Sequence, residues 1–303
     1  MTIFYHKKTI SYFLTAAVLL LTLAAFSSCE SSKTNLITWS DDSATSAAEG
    51  AAADGTTVTI SRSGSYTLAG SCPEGRLVID SPELGDIFLY FDDLSLACST
   101  ASVIQIIRGE NVYFIINDGA VADINDKRPQ GRYDDDAAIF GRCDMIFQGL
   151  GTLTVNSANE GIHSSDDLKV KTGIINITAG THGIKGRDSV KIDGGIITID
   201  AGRDGIKSTF PDKSTKGIVK IDGGEINIKC MDDGIQSSNE IRLRGGKIII
   251  DTANNGFKSE YRIEAVTGVI IEITTADKGF NSPSILGDGT AVVTVNGESI
   301  AIN

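Results

Sequence analysis

The sequence is poor in proline, aromatic residues and histidine. Its 303 residues include 5 Pro, 1 Trp and 3 His, and aromatic residues make up 6% of the chain. So little proline excludes a proline-rich linker or a collagen-like chain. Few aromatic side chains leave no evident platform for flat crystalline sugars. The chain also lacks a Ser-His-Asp signature and a recognisable general acid–base pair, which argues against catalysis.

Acidic residues clearly outnumber basic ones. The chain has 39 Asp and Glu against 27 Lys and Arg, a net charge of −12. A surface of this charge argues against nucleic acid as a partner and against direct docking on anionic lipid. It would also repel acidic polymers unless cations bridge the two.

The first residues have the composition of an export signal. Lys7 and Lys8 precede an apolar run over 10–26, and Ser27-Ser28-Cys29 resembles a bacterial lipoprotein box. We predict a lipoprotein signal peptide over 1–28 with lipid on Cys29, because the run is short for a membrane span. An ordinary signal cut near Ser28 and an uncleaved anchor remain alternatives. The first interpretation places an exported, membrane-anchored lipoprotein in the cell envelope or at the cell surface.

Residues 29–55 are rich in Ser, Ala, Asp and Thr, which predicts a flexible tether. Four further cysteines follow at 72, 98, 143 and 230. Four stacked coils would separate Cys143 from Cys230 by roughly 19 Å, too far for a disulfide. A Cys72–Cys98 disulfide and buried free thiols remain equally open.

A short cassette recurs through the second half of the chain. It has two polar residues, then Gly, one apolar residue, and two further residues, as in Asp232-Asp233-Gly234-Ile235-Gln236-Ser237. The cassette glycines are Gly161, Gly183, Gly205, Gly234, Gly256 and Gly279, spaced by 22, 22, 29, 22 and 23 residues. A fixed period of this size indicates stacked structural repeats.

Each repeat combines the cassette with short runs rich in Ile and Val and with Gly-rich corners. These runs predict an all-β chain, and stacking them would join the apolar side chains into one column. We therefore predict a right-handed parallel β-helix, a solenoid with ~22-residue coils, as a single domain over 56–303. The first strands, taken alone, also suit a sandwich or barrel. Residues 209–217 form an insertion that should project from a corner, and 126–133 form a second irregular loop.

Equivalent positions of a β-helix stack about 4.8 Å apart, so the polar pairs should form a ladder. Turn geometry accounts for the cassette glycine and part of the Asn content. It does not account for the clustered carboxylates, which repel one another unless a cation lies between them. Carboxylate and amide oxygens are calcium ligands. The predicted Ca²⁺ ligands are Asp204, Asp232, Asp233, Asn254, Asn255 and Asp277 at an upper site, and Asp135, Asp136, Asn159 and Glu160 at a lower site.

The side chain two residues after each cassette glycine should point outward beside the ladder. Lys185, Lys207 and Lys258 occupy three of these positions. They are candidates for binding a sugar chain, with Tyr133 and Phe210 as local stacking partners; solvated counter-charges are the simpler alternative. In a calcium-assisted lyase, one such lysine would act as the base.

The run from Val58 to Gly70, with the Asp-Asp-Gly-Ile and Asp-Gly-Gly repeats, resembles the bacterial carbohydrate-binding-domain-containing proteins of the clostridial cellulose- and pectin-binding type. The resemblance covers roughly residues 56–290. It implies a calcium-binding, pectate-lyase-like right-handed parallel β-helix and a polysaccharide partner, acidic chains included. By resemblance, the strongest calcium ligands are Asp232, Asp233, Asn254 and Asn255. His182 and Arg203 depart from the pattern.

The sequence thus favours a non-catalytic, calcium-dependent polysaccharide-binding surface lipoprotein. Its partner would be a plant cell-wall or acidic glycan. It would contact a membrane only through the lipid anchor, and nucleic acid is excluded as a partner. A pectate-type polysaccharide lyase is the first alternative. A structural surface β-helix or adhesin is the second.

Overall fold

The computed structural model describes residues 35–212, 215–266, 268–275 and 277–302. The predicted signal peptide and Cys29 lie outside the described residues, so both remain predictions. Every regular element in the described part of the chain is a β-strand or a turn. Within these ranges, no helix is long and apolar enough to cross a membrane.

Three ladders of stacked strands form the three faces of the molecule. The cassette face contains β3 Ala51–Asp54, β4 Thr57–Ile60, β6 Arg76–Asp80, β8 Ile104–Arg108, β11 Ala137–Gly141, β14 Glu160–Ser164, β17 Ile184–Gly186, β20 Ile206–Ser208, β23 Ile235–Ser237, β26 Asn255–Ser259 and β29 Lys278–Asn281. The second face contains β9 Asn111–Ile116, β12 Asp144–Gly149, β15 Asp167–Val170, β18 Ser189–Ile192, β21 Ile218–Ile221, β24 Glu240–Leu243, β27 Arg262–Ala265 and β30 Ile285–Gly287.

The third face is built mostly of six-residue strands. It contains β10 Val121–Asp126, β13 Thr152–Ser157, β16 Ile174–Ala179, β19 Ile196–Ala201, β22 Glu225–Cys230, β25 Lys247–Thr252, β28 Ile270–Thr275, β31 Val292–Val295 and β32 Glu298–Ile300. Two long strands, β5 Gly64–Cys72 and β7 Ile87–Cys98, span the second and third faces. The early coils are therefore two-stranded where the later ones have three strands.

Each strand pairs in parallel with the equivalent strand of the next coil, for example Ile184 with Ile206 and Ile206 with Ile235. The predicted parallel β-helix is thereby confirmed, and the sandwich and barrel readings of the first strands are wrong. Inward side chains alternate with outward ones and form one continuous core. Its members come from every coil, from Ile37 to Val293 and Ile302.

The N-terminal end of the core is covered by strands that the sequence did not reveal. β1 Leu36–Trp39 pairs in parallel with β5 and antiparallel with β2 Ala44–Ser46, while β3 pairs antiparallel with β4. Trp39 is buried, and its indole N–H donates to the Thr56 carbonyl at 3.0 Å. The predicted tether is therefore wrong for 36–54, because Ile37 and Trp39 bury apolar surface that composition alone did not weigh.

The four described cysteines, Cys72, Cys98, Cys143 and Cys230, are buried free thiols. Burial raises the pKa of Cys143 to about 12, so this thiol is inert as a nucleophile. At the C-terminal end, β31 and β32 pair antiparallel.

The cassette glycines are required by crowding and not by turn geometry. A Cβ on Gly234 would lie 2.5 Å from Ile250 Cγ2 and 2.6 Å from the Gly256 carbonyl oxygen. The carbonyl oxygen of a cassette glycine accepts a hydrogen bond that joins neighbouring coils. For example, Ile206 N–H donates to Gly234 O at 3.0 Å. The left-handed glycines are elsewhere, at corners such as Gly195, whose φ is +95°. The turn explanation for the cassette glycine is thus wrong.

Gly234→Ala should therefore destabilise the protein by about 1–3 kcal/mol, because the added methyl overpacks a close contact between coils. Thermal and urea denaturation measure the loss. Gly109→Ala is the matched control, since its Cβ would approach no atom closer than 3.5 Å. Equal stability of the two variants would contradict the crowding argument.

Candidate functional site

The polar pairs of the cassettes stack into two adjacent columns beside the cassette face. Strand register aligns Glu160, His182, Asp204, Asp233 and Asn255 in the inner column. All five are buried, with Asp204 and Asp233 fully so. The predicted ladder is therefore confirmed from residue 159 onward.

The first rung differs from the prediction by one residue. Strand β11 pairs Ala137 with Glu160, which places Asp136, and not Asp135, on the rung of Asn159. The predicted alignment was wrong there because Ala138 stands where the later cassettes have glycine. Asp135 instead helps to hold the neighbouring loop.

The buried carboxylates of the ladder are neutralised by the lysines that were predicted to face outward. Lys185 Nζ donates to Glu160 Oε1 at 2.8 Å, and Lys207 Nζ donates to Asp204 Oδ2 at 2.7 Å. These ion pairs are partly or fully removed from solvent, so the opposing charges stabilise each other strongly. The glycan-binding role of Lys185, Lys207 and Lys258 stays a prediction.

At the upper site, the carboxylates of Asp204, Asp232 and Asp233 lie within 4.8 Å of one another. Lys258 Nζ donates to Asp233 Oδ2 at 2.9 Å, and the amides of Asn254 and Asn255 donate to Asp233 Oδ1 at 3.1 and 2.7 Å. The structure thus brings five of the six predicted ligands together. Asp277 is exposed and lies outside the cluster.

Two features of the upper site favour a positive charge. Burial alone would raise the pKa of Asp204, but the adjacent His182 and Lys207 lower that pKa to about 2. The carboxylate is therefore ionised at every physiological pH. In addition, the buried Oδ1 of Asn255 receives no hydrogen bond within the described ranges, which leaves a carbonyl oxygen free as a ligand.

At the lower site only two of the four predicted ligands converge. Asn159 Oδ1 accepts from Gly131 N–H at 2.9 Å, so this side chain anchors the loop. Asp136 and Glu160 converge instead with His163, whose Nδ1 lies 3.3 Å from Asp136 Oδ1 and 2.8 Å from Glu160 Oε2. Burial lowers the pKa of an imidazole, but these two carboxylates outweigh burial, and the pKa of His163 is raised.

A buried arginine fixes the loop at residues 127–136, which joins β10 to β11. Arg128 is 2% exposed, and its Nε and Nη2 donate to both oxygens of Asp126, at 2.9 and 2.7 Å. Its Nη1 also donates to the Asp135 carbonyl at 2.9 Å, and the guanidinium lies 4.7 Å from the centre of the Tyr133 ring. The loop is thus held against the ladder by a single satisfied cation.

This loop and the ladder enclose a groove on the described part of the chain. Its volume is about 600 Å³. The lining residues are Gln130, Gly131, Arg132, Tyr133, Asp136, Asn159, Glu160, Thr181, His182 and Arg203. The groove therefore adjoins the lower site and continues along the ladder to the rung just below Asp232.

Sequence reasoning missed most of the groove. Of the predicted glycan contacts, only Tyr133 lines it. Phe210 instead contacts the cations of Arg187 and Lys216, which lie 4.8 and 5.0 Å from the centre of its ring. The groove cations are Arg132 and Arg203. Arg203 could have indicated the groove, because it is an arginine within a ladder of acids and amides. From the sequence it was interpreted only as a departure from the pattern.

A second acidic cluster lies at the corner between the cassette face and the second face. Asp144, Asp166 and Asp167 converge there within 4.8 Å, beside Asp188, which pairs with Lys216 of the insertion. Burial and the nearby carboxylates, Asp188 first, raise the pKa of Asp166 to about 6. The described residues of the insertion, 209–212 and 215–217, follow β20 and so border this corner, away from the groove.

The stacked three-faced coils, with a groove beside a cassette ladder, define a β-helix of the polysaccharide-lyase-like class. A solved structure described as the polysaccharide lyase-like protein from C. thermocellum, in a gadolinium derivative, is similar with a TM-score of 0.69. The two chains are 26% identical, and the match covers 84% of this chain and 98% of that one.

Residues 54–303 match the family described as Carbohydrate-binding domain-containing protein, and the chain belongs to that family. A relative of the same description from Acetivibrio thermocellus is 30% identical over 125 residues. That alignment covers 39% of this chain and 43% of the relative, so the chain matches less than half of the relative's length. The family suggested by the cassettes is thus confirmed.

Removing the buried cation of the loop should be costly. We expect Arg128→Ala to destabilise the protein by about 3–5 kcal/mol, because it leaves Asp126 buried and unpaired. Chemical denaturation measures this change. Arg108→Ala, which breaks the exposed pair with Asp80, should leave stability nearly unchanged; a comparable loss in both variants would contradict the anchoring role.

The acidic corner should make stability depend on pH in a defined direction. Because the folded-state pKa of Asp166 is raised to about 6, ionisation of this group disfavours the folded state above that pH. Stability is regained as pH falls from about 6 towards the unfolded value near 4. Asp166→Asn should therefore raise Tm by a few degrees at pH 7 in chelator and by much less at pH 4. An equal shift at both pH values would contradict the assignment.

Proposed function

We propose that this protein is a non-catalytic, calcium-dependent binder of acidic polysaccharide on the cell surface. The observation that carries the proposal is the groove of about 600 Å³ beside the cassette ladder, lined by two arginines and a tyrosine. An elongated groove across stacked coils suits a chain-like ligand.

The charge of the groove supports an acidic ligand. Arg132 and Arg203 are exposed, and neither side chain makes an ion pair or hydrogen bond within the described residues. Most other cations near the ladder are occupied, as Lys185 is by Glu160. Guanidinium groups bind carboxylates through two parallel hydrogen bonds, which fits the uronate units of an acidic polysaccharide. Tyr133 offers a ring for stacking against a sugar.

The donor set of the upper site supports calcium. Asp204, Asp232 and Asp233 supply carboxylate oxygens, and Asn255 supplies the unpartnered carbonyl oxygen. Calcium would replace Lys207 or Lys258 as the counter-charge of these carboxylates, which frees an ammonium group for the glycan.

The ion pairs of the lysines favour binding over catalysis. A lyase of the pectate type would need a lysine that gives up its proton. The hydrogen bond to Asp233 and the charges of nearby carboxylates raise the pKa of Lys258, which makes it a poorer base. Lys207 is likewise held on a buried carboxylate. Attachment to a membrane through lipid on Cys29 completes the proposal and rests on the lipoprotein-like box alone.

We expect the protein to retain polygalacturonate in the presence of calcium and to lose it in EDTA. Arg203→Ala should weaken this binding by roughly tenfold or more, the value of one charge-assisted contact. Affinity electrophoresis or calorimetry measures the effect. Arg244→Ala is the matched control, because Arg244 is also exposed but lies outside the groove.

The outcomes separate the parts of the proposal. Equal retention with and without EDTA would remove calcium from it, and unchanged Tm in EDTA as well would favour the structural alternative. Equal weakening of glycan binding in Arg203→Ala and Arg244→Ala would exclude the groove as the binding site. A sustained rise in ultraviolet absorbance from unsaturated products, lost in Lys207→Ala or Lys258→Ala, would replace binding with lyase activity.

A further inference from the structure

Two carboxylates and one imidazole meet at the base of the groove, below the loop. Asp136 directly precedes β11, Glu160 begins β14, and His163 lies three residues later on the same strand. One ligand atom of each lies within 4.8 Å of the others. Nδ1 of His163 is 2.8 Å from Glu160 Oε2 and 3.3 Å from Asp136 Oδ1.

One oxygen of the Glu160 carboxylate accepts a hydrogen bond, and the other forms only an ion pair with His163. Its side chain is 5% exposed, and Oε1 accepts from Lys185 Nζ at 2.8 Å. Oε2 is fully buried and receives no hydrogen bond from the described part of the chain, although His163 Nδ1 is 2.8 Å away. A buried polar atom without a partner is costly. His163 Nδ1 also lies within hydrogen-bond distance of Asp136 Oδ1, at 3.3 Å. The nitrogen and the two carboxylate oxygens are therefore close enough together to share one metal ion.

We propose that Asp136, Glu160 and His163 Nδ1 bind a divalent transition metal ion, such as Zn²⁺, Mn²⁺ or Co²⁺. Imidazole nitrogen suits these ions, whereas calcium takes oxygen ligands. Ligand atoms at 2.0–2.2 Å from a metal are separated from each other by about 3–3.6 Å. The two distances from His163 Nδ1, 2.8 Å to Glu160 Oε2 and 3.3 Å to Asp136 Oδ1, are close to that range. The site is thus chemically distinct from the all-oxygen upper site.

The surroundings fit a metal site with exchangeable positions. Lys185 fixes Glu160 through Oε1 and leaves Oε2 available, and the Phe140 ring meets the His163 ring edge-on at 5.2 Å. Such contacts orient ligands and tune their affinity. Asp136 and Glu160 also line the groove, so the coordination positions not filled by protein face it. Given the proposed glycan binding, those positions would take a sugar hydroxyl or carboxylate oxygen.

The test is cobalt binding by the tag-free chain, without glycan and in millimolar calcium. The wild type should bind one equivalent of Co²⁺ with visible absorption bands, and Zn²⁺ but not Ca²⁺ should abolish the bands. His163→Asn should weaken Co²⁺ binding by at least about tenfold, since even outer contacts of metal ligands are worth that much. His182→Asn, which removes the other described imidazole, should keep the cobalt spectrum.

The proposal is overturned if the wild type binds no Co²⁺ or Zn²⁺, or if His163→Asn binds them as tightly as the wild type. It is equally overturned if His182→Asn removes the bands and His163→Asn does not. Should His163→Asn lose its cooperative melting transition, Asp136→Asn decides, because that carboxylate is 35% exposed and its loss should be tolerated. Unchanged affinity in Asp136→Asn would then reject the site. Because glycan is absent, this result is independent of the groove proposal.

Discussion

The whole molecule depends on the close parallel stacking of one coil on the next. A coil of about 22 residues cannot cover its own isoleucines, and the neighbouring coils supply the missing contacts. Stacking at about 4.8 Å is possible at the cassette only with glycine, because the Ile250 methyl and the Gly256 carbonyl occupy the space that a Cβ on Gly234 would need. The glycine that recurs in each cassette is therefore required by a steric limit.

The same stacking buries the carboxylates of the site, which then need a positive charge close by. Directly before each glycine, the chain carries a polar residue into the buried inner column, where Asp204 and Asp233 are fully enclosed. A buried carboxylate needs a cation or several donors. Lys207, three residues after Asp204 in the same cassette, and Lys258, in the cassette that follows that of Asp233, supply that charge. Either a metal ion or a lysine can neutralise these buried carboxylates. Calcium binding would therefore release an ammonium group.

The groove arises where the regular ladder meets an irregular loop. Arg128 ties that loop to Asp126 at the end of β10, so the loop covers one side of the ladder and exposes Arg132 and Tyr133 beside Arg203. Specific chemistry is thus concentrated at the least repetitive coils. His163 and His182 lie on two consecutive rungs there, whereas the upper rungs carry only oxygen donors and lysines.

The sequence by itself determined the repeat, the all-β solenoid, the ladder from residue 159 upward and the acidic upper cluster. All of these follow from local patterns that recur at a fixed period, so stacking converts spacing directly into proximity. Only the tertiary structure decided the register at Asp136, the capping strands at 36–54, the pairing of the lysines and the path of the loop. Each of these depends on contacts between segments without a repeat, where Arg128 meets Asp135 or Trp39 meets Thr56, and no period links such residues in advance.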